Sequence, residues 1–178
     1  MERNDTLEKI KGERGLLERL MSHIPGYRGY KEKELRRESD RLVRMEAVQR
    51  LKASKEILRR RLADPFSVGR LSAEDAWRLE TLSSHLDRVT QRIDRAIAGY
   101  AGIFDSVKVR EDKLERVLEH DLSLIEMTER VRAEMERASG LEPGREGWRS
   151  AIDGLISKME ELDTLVERRV EIFKGLEA

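Results

Sequence analysis

Residues 72–100 read SAEDAWRLETLSSHLDRVTQRIDRAIAGY, and this stretch decides the fold. Leu79, Leu82, Leu86, Val89, Ile93, Ala96 and Tyr100 follow one another at alternating steps of three and four. Apolar side chains at that spacing line one stripe of an α-helix and make the seam of a left-handed helix pair. Arg88, Arg92 and Arg95 fall off the seam. Ser72 followed by Asp75 is a capped start, since each side chain can satisfy a backbone N–H of the other. Gly99 and Gly102 close the run, which predicts a helix over about 73–99.

The same period extends in both directions. Downstream, Trp148, Ile152, Leu155, Met159, Leu162, Val166, Val170 and Phe173 predict a helix over about 145–174. Leu114, Val117, Leu118, Leu124, Ile125, Val131 and Met135 predict another over about 111–138, closed by Gly140. Upstream, Leu35, Leu42, Met45, Val48, Leu51, Leu58 and Leu62 predict a long helix over about 30–63, uninterrupted by Gly or Pro. Leu7, Ile10, Leu17, Met21 and Ile24, a stripe widened by Leu16 and Leu20, predict one over about 4–23, weakened by Gly12 and Gly15. Breaks fall at Ile24-Pro25-Gly26-Tyr27-Arg28-Gly29-Tyr30, at Asp64-Pro65 with a link over 66–71, and at Leu141-Glu142-Pro143-Gly144. Residues 103–109, IFDSVKV, are short and apolar; a lone strand has nothing to pair with, so they are expected to be a packed connection. The chain is therefore expected to be a single all-α domain over 1–178. Its form is an elongated antiparallel helical bundle, or coiled-coil hairpins, of about five helices.

Composition agrees with this reading. Of the 178 residues 40% are charged and 4% aromatic, but the apolar ones recur at helical spacing, which disfavours a disordered tail. The absence of cysteine excludes disulfides, thiolate catalysis and Cys-based zinc sites. No run is long and apolar enough to predict a membrane span, and the first residues lack a signal-peptide core, so a cytoplasmic location is expected. The formal net charge of zero hides a dipole: residues 28–61 carry thirteen bases against six acids, and residues 111–178 eleven bases against eighteen acids. Basic and acidic helices can lie side by side, or the basic segment can meet an anionic partner.

Motifs that carry chemistry are missing. His23, His85 and His120 fit neither HExxH nor the Glu-x-x-His pairs of di-iron bundles, and His120, between Glu119 and Asp121, reads as part of a solvated face. There is no GxSxG elbow, P-loop or dinucleotide fingerprint. Gly26-x-x-Gly29 has the spacing of a KH clamp without the mixed sheet that clamp needs. Arg36, Arg37, Arg41 and Arg44 line one side of the second helix, but Glu32, Glu34, Glu38 and Asp40 interleave with them, which disfavours nucleic acid. Pairs such as Glu32–Arg36 and Glu56–Arg60 offer the basic residues internal partners instead. No cofactor, metal or small-molecule substrate is expected.

Three segments carry a resemblance: IPGYRGYKEKE over 24–34 running into Arg36-Arg37, GYAGIFDSVKV over 99–109, and LERVLEHDLSL over 114–124. Together they are similar to an uncharacterised family of small helical prokaryotic proteins, a resemblance that implies a helical fold and transfers no activity and no residue role. Read physically, the Gly-Tyr segments place aromatic residues at two helix junctions that an antiparallel hairpin brings to one pole. Tyr27, Arg28, Tyr30, Arg36, Arg37, Tyr100 and Phe104 are thus a candidate interaction patch, or a structural corner that locks the first helix on the bundle. The leading functional expectation is a non-enzymatic helical scaffold or adaptor working through protein–protein contacts or self-association. The alternative is a peripheral membrane-associated protein using the first helix and the basic second helix.

Overall fold

The computed structural model describes residues 2–29, 33–96 and 111–174, with side chains over 11–29, 38–96, 115–169 and 171–172. Among these residues there are six helices and no strand: α1 Glu2–His23, α2 Lys33–Leu62, α3 Pro65–Val68, α4 Ala73–Arg95, α5 Glu111–Ser139 and α6 Glu146–Lys174. No described helix is long and apolar enough to cross a membrane.

The link after α2 is not wholly irregular, because Asp64-Pro65 starts a new helix as well as ending the old one. The Asp64 carboxylate accepts from the backbone N–H groups of Phe66 and Ser67, and Pro65 occupies the first turn, where its missing N–H costs nothing. The resulting single turn, α3, ends at Gly69. Ser72 then caps α4 in a full capping box: its Oγ accepts from the Asp75 N–H at 3.1 Å, and Asp75 Oδ2 accepts from the Ser72 N–H at 3.1 Å.

Four long helices form the bundle, and inter-helix bonds give its register. The pair α2/α4 is antiparallel, with Lys55 bonded to Asp87, and so is α5/α6, with Lys158 Nζ 3.2 Å from Glu134. The two hairpins pack side by side, so that α2 lies beside α5 and α4 beside α6. Both of these contacts are parallel. Arg50 donates to the Ile125 carbonyl and Arg61 to that of Leu141; Arg78 pairs with Asp153 and Arg92 with Glu167. Basic α2 therefore does lie against acidic α5, with Arg50 3.5 Å from Glu129.

The core follows the seams. Leu79, Leu82, Leu86, Val89 and Ile93 on α4 are buried, as are Trp148, Ile152, Leu155, Met159, Leu162 and Val166 on α6. Each large apolar side chain so buried contributes about 1.5–3 kcal/mol before chain entropy is counted. Two expectations need correction. On α2, Met45 and Leu62 are exposed, because the buried stripe runs through Val43, Ala47, Leu51 and Leu58 instead. On α1, Met21 is exposed, while Leu20 and the following Ile24, both on the expected stripe, are buried where this helix packs against α5.

The chain reverses at 24–29. α1 runs parallel to α5, with Arg19 bonded to Glu126, and the following segment turns back along it. Gly26 and Gly29 both take left-handed backbone angles, φ 84° and 79°, which a residue with a Cβ rarely adopts. A Cβ on Gly29 would also sit 3.2 Å from Leu17 Cδ1. This strap is fastened at both ends: Arg50 donates to the His23 carbonyl at 3.3 Å, and Ser39 Oγ donates to the Gly29 carbonyl at 2.7 Å.

Candidate functional site

The strap covers a cluster of buried charges. Asp40 and Arg44 of α2, His120 and Asp121 of α5, and Arg169 of α6 are all at most 6% exposed. Arg169 bridges three helices: one guanidinium nitrogen donates to Asp121 Oδ1, and the other donates to Asp40 Oδ1 at 2.8 Å. Asp40 Oδ2 accepts from Arg44 Nε at 2.8 Å, one helical turn away. The Tyr27 hydroxyl reaches in from the strap and donates to Asp121 Oδ2 at 3.4 Å.

His120 is fixed in one tautomer by its neighbours. Its Nε2 lies 2.8 Å from the Leu165 carbonyl, which can only accept, so Nε2 carries the proton. Nδ1 is then the acceptor facing Arg169 Nη1 at 3.4 Å. Burial, and after it the adjacent positive charge of Arg169, push the imidazole pKa down from 6.5 to about 4. The sequence reading of His120 as a solvated residue is thus corrected: the ring is inside the bundle and neutral. Arg44 likewise leaves the basic face assigned to it and points into the core.

These residues share a positional signature. Val117, Asp121, Leu124, Thr128, Val131 and Met135 step by four and three, so Asp121 and Thr128 occupy seam positions of α5. Met159, Leu162, Val166 and Arg169 do the same on α6, and Asp40, Arg44, Ala47, Leu51, Ser54 and Leu58 on α2. Polar residues that interrupt an otherwise apolar seam are the signal that could have found the cluster. The arrangement sets each carboxylate against a guanidinium, away from water. It offers no exposed base, and its physical effect is on register: a one-turn slip of α6 would leave Arg169 against apolar side chains, a costly exchange.

A second cluster ties the opposite pole. Arg149 clamps Asp75 with two bonds, 2.7 Å and 3.0 Å, and these hold the fully buried carboxyl far below the usual carboxylate range. The α5–α6 loop closes over this pair. Gly144 has φ 79°, and a Cβ there would lie 2.8 Å from the Arg70 carbonyl oxygen, so only glycine fits.

The residues expected to form an interaction patch are distributed as follows. Tyr27 is 1% exposed and belongs to the core, whereas Arg28 is exposed. Arg36 and Arg37 lie on α2 with their side chains outside the described residues, and Tyr30, Tyr100 and Phe104 lie wholly outside them. Exposed apolar residues gather instead at the α3 pole. Phe66 is 67% exposed and Trp77 64%, with Leu62, Val68 and Leu141 also on the surface. Phe66 carries the Arg70 guanidinium 4.1 Å from its ring centre. Beside them runs an open groove of about 600 Å³ between α3 and the outer face of α4. Leu62, Val68, Leu71 and Ala76 line it, with Glu80 and Asp87 along one edge. By contrast, the pocket beneath this pole is about 20 Å³ and apolar, room for one water at most.

No family, no curated protein and no solved structure matches this chain.

Proposed function

We propose that the chain is a non-enzymatic helical scaffold or adaptor that acts through protein–protein contacts, and that its contact surface lies at the α3 pole and on the outer face of the α2–α4 hairpin. The observation that carries this reading is the exposure of Phe66 and Trp77, together with Leu62 and Val68, at one end of a bundle whose seams are otherwise closed. Large aromatic side chains left in water have an energetic reason to be covered, and they are enriched where partners dock. The buried clusters support the same reading, because they stiffen the bundle that presents this surface.

The test compares the wild-type chain with Phe66→Glu and Trp77→Glu, each used as bait in cross-linking and co-purification. Both side chains are exposed, so unchanged melting is expected, with loss of the associated proteins. A variant pair that retains every associated protein would overturn the assignment of this surface.

A further inference from the structure

The geometry points to a second copy of the chain as the occupant of the α2–α4 face, related to the first by a two-fold axis running along the helices. The inference rests on the protein-contact reading above and supplies the partner.

Met45, Lys52 and Arg59 recur at steps of seven on the outer side of α2, and Lys55, which bonds to Asp87, shows that this side faces α4. Glu80, Asp87 and Asp94 recur at steps of seven on the facing side of α4. The face therefore carries two bases on α2, Lys52 and Arg59, and three acids on α4, with the apolar groove of Leu62, Val68, Leu71 and Ala76 beside Glu80 and Asp87 at the α3 pole. Glu56 takes part of the charge of Arg59 and Arg60, at 3.1 Å and 3.2 Å. Among the described residues Lys52, Glu80 and Asp94 make no ion pair.

A surface with bases on one helix and acids on the other is complementary to itself under only some rotations. An axis across the helices would set α2 on α2 and α4 on α4, like charge on like. An axis along them sets α2 of each copy on α4 of the other. Because Lys55 and Asp87 are level, Arg59 of one copy then comes level with Ser83 and within a turn of Glu80 of the other. Both poles stay in register, so the grooves lined by Val68 in the two copies lie at the same level. Interfaces built this way are isologous, every contact occurring twice.

The area is sufficient. α4 has 23 residues, about 35 Å at the helical rise. Two helices side by side are about 20 Å wide, giving about 700 Å² per copy and about 1,400 Å² in total, within the roughly 1,200–2,000 Å² of stable specific complexes.

Sedimentation equilibrium of the full chain tests this. The wild type is expected to be a dimer, and Arg59→Glu and Glu80→Lys, each of which sets a like charge against its partner position on the other copy, should each weaken the dimer by about tenfold or more. An equimolar mixture of the two variants should restore a dimer containing one of each. In that mixed dimer the introduced glutamate of one chain meets the introduced lysine of the other, and the retained Arg59 meets the retained Glu80. Lys52→Glu with Asp94→Lys provides an independent second pair, and circular dichroism checks that every variant remains helical. A wild type that stays monomeric at all concentrations, or single variants that dimerise like wild type, or a mixture that fails to recover, would each overturn the proposal. A monomeric wild type whose associated proteins are still lost on Phe66→Glu would sink the second copy alone and leave the protein-contact reading standing.

Discussion

Arg169 on α6 and Asp121 on α5 form an ion pair that water scarcely reaches, at 2% and 0% exposure. Asp40 meets the same guanidinium from α2, so one arginine holds carboxylates from two other helices. Removing one member of such a cluster leaves its opposite charge buried. Arg169→Met is therefore expected to destabilise the fold by about 3–5 kcal/mol. Arg169→Met combined with Asp121→Asn removes one charge of each sign and should recover at least about 1 kcal/mol of that loss. Urea unfolding of the two variants measures it, and a double variant less stable than the single one would contradict the pairing.

Acid should weaken the bundle before its carboxylates titrate. The folded-state pKa of His120, about 4, lies below the ordinary 6.5, so between those values the unfolded chain binds a proton that the folded chain refuses. Above pH 6.5 the contribution is flat and fully present; as pH falls toward 4 it is lost, to a total of about 3 kcal/mol. His120→Gln keeps a donor for the Leu165 carbonyl and does not titrate. Melting temperatures across this window should fall less steeply in the variant than in wild type.

Glycine substitutions should divide by backbone angle. Gly144→Ala must accommodate a Cβ against the Arg70 carbonyl and a left-handed φ, and is expected to cost about 1–3 kcal/mol. Gly154 lies inside α6 with open space at its Cβ, so Gly154→Ala should stabilise by about 0.5–1 kcal/mol. Thermal unfolding of the pair separates the cases by sign.

The cap of α4 offers a smaller, local effect. Ser72→Ala removes the acceptor for the Asp75 N–H and the donor to Asp75 Oδ2 at 2.8 Å. The expected loss is about 1 kcal/mol, with the first turn of α4 losing hydrogen-exchange protection while the middle of the helix keeps it.

The all-α bundle is legible in the sequence because heptad spacing is a direct statement about which face of a helix leaves water. Leu79 to Ile93 need nothing else. What spacing does not say is how an amphipathic stripe is centred. On α2 the buried stripe is centred on Val43, Ala47 and Leu51 and takes in Val48 at its edge, while Met45 is left exposed although it is the larger side chain. Reading charge as exposure hides Asp40, Arg44, Asp121 and Arg169. Each sits at a seam position, and only the pairing of three helices makes its burial tolerable. Tyr27 stands out in the sequence, but its partner lies 94 residues away, beyond any local pattern. The α3 turn is hidden by its brevity, since a single turn has no period to detect.

The bridge between Asp40 and Arg169 spans 129 positions. Each hairpin can zip from neighbours close in the chain, and quickly, as helical structure does. Within the α5/α6 hairpin Arg169 can already meet Asp121, but Asp40 on α2 stays without it until the hairpins join, so a half-assembled bundle holds a carboxylate that favours hydration over docking. Closure of the bundle is thereby tied to the meeting of α2 and α6, and the slow step of refolding should be the joining of two preformed hairpins.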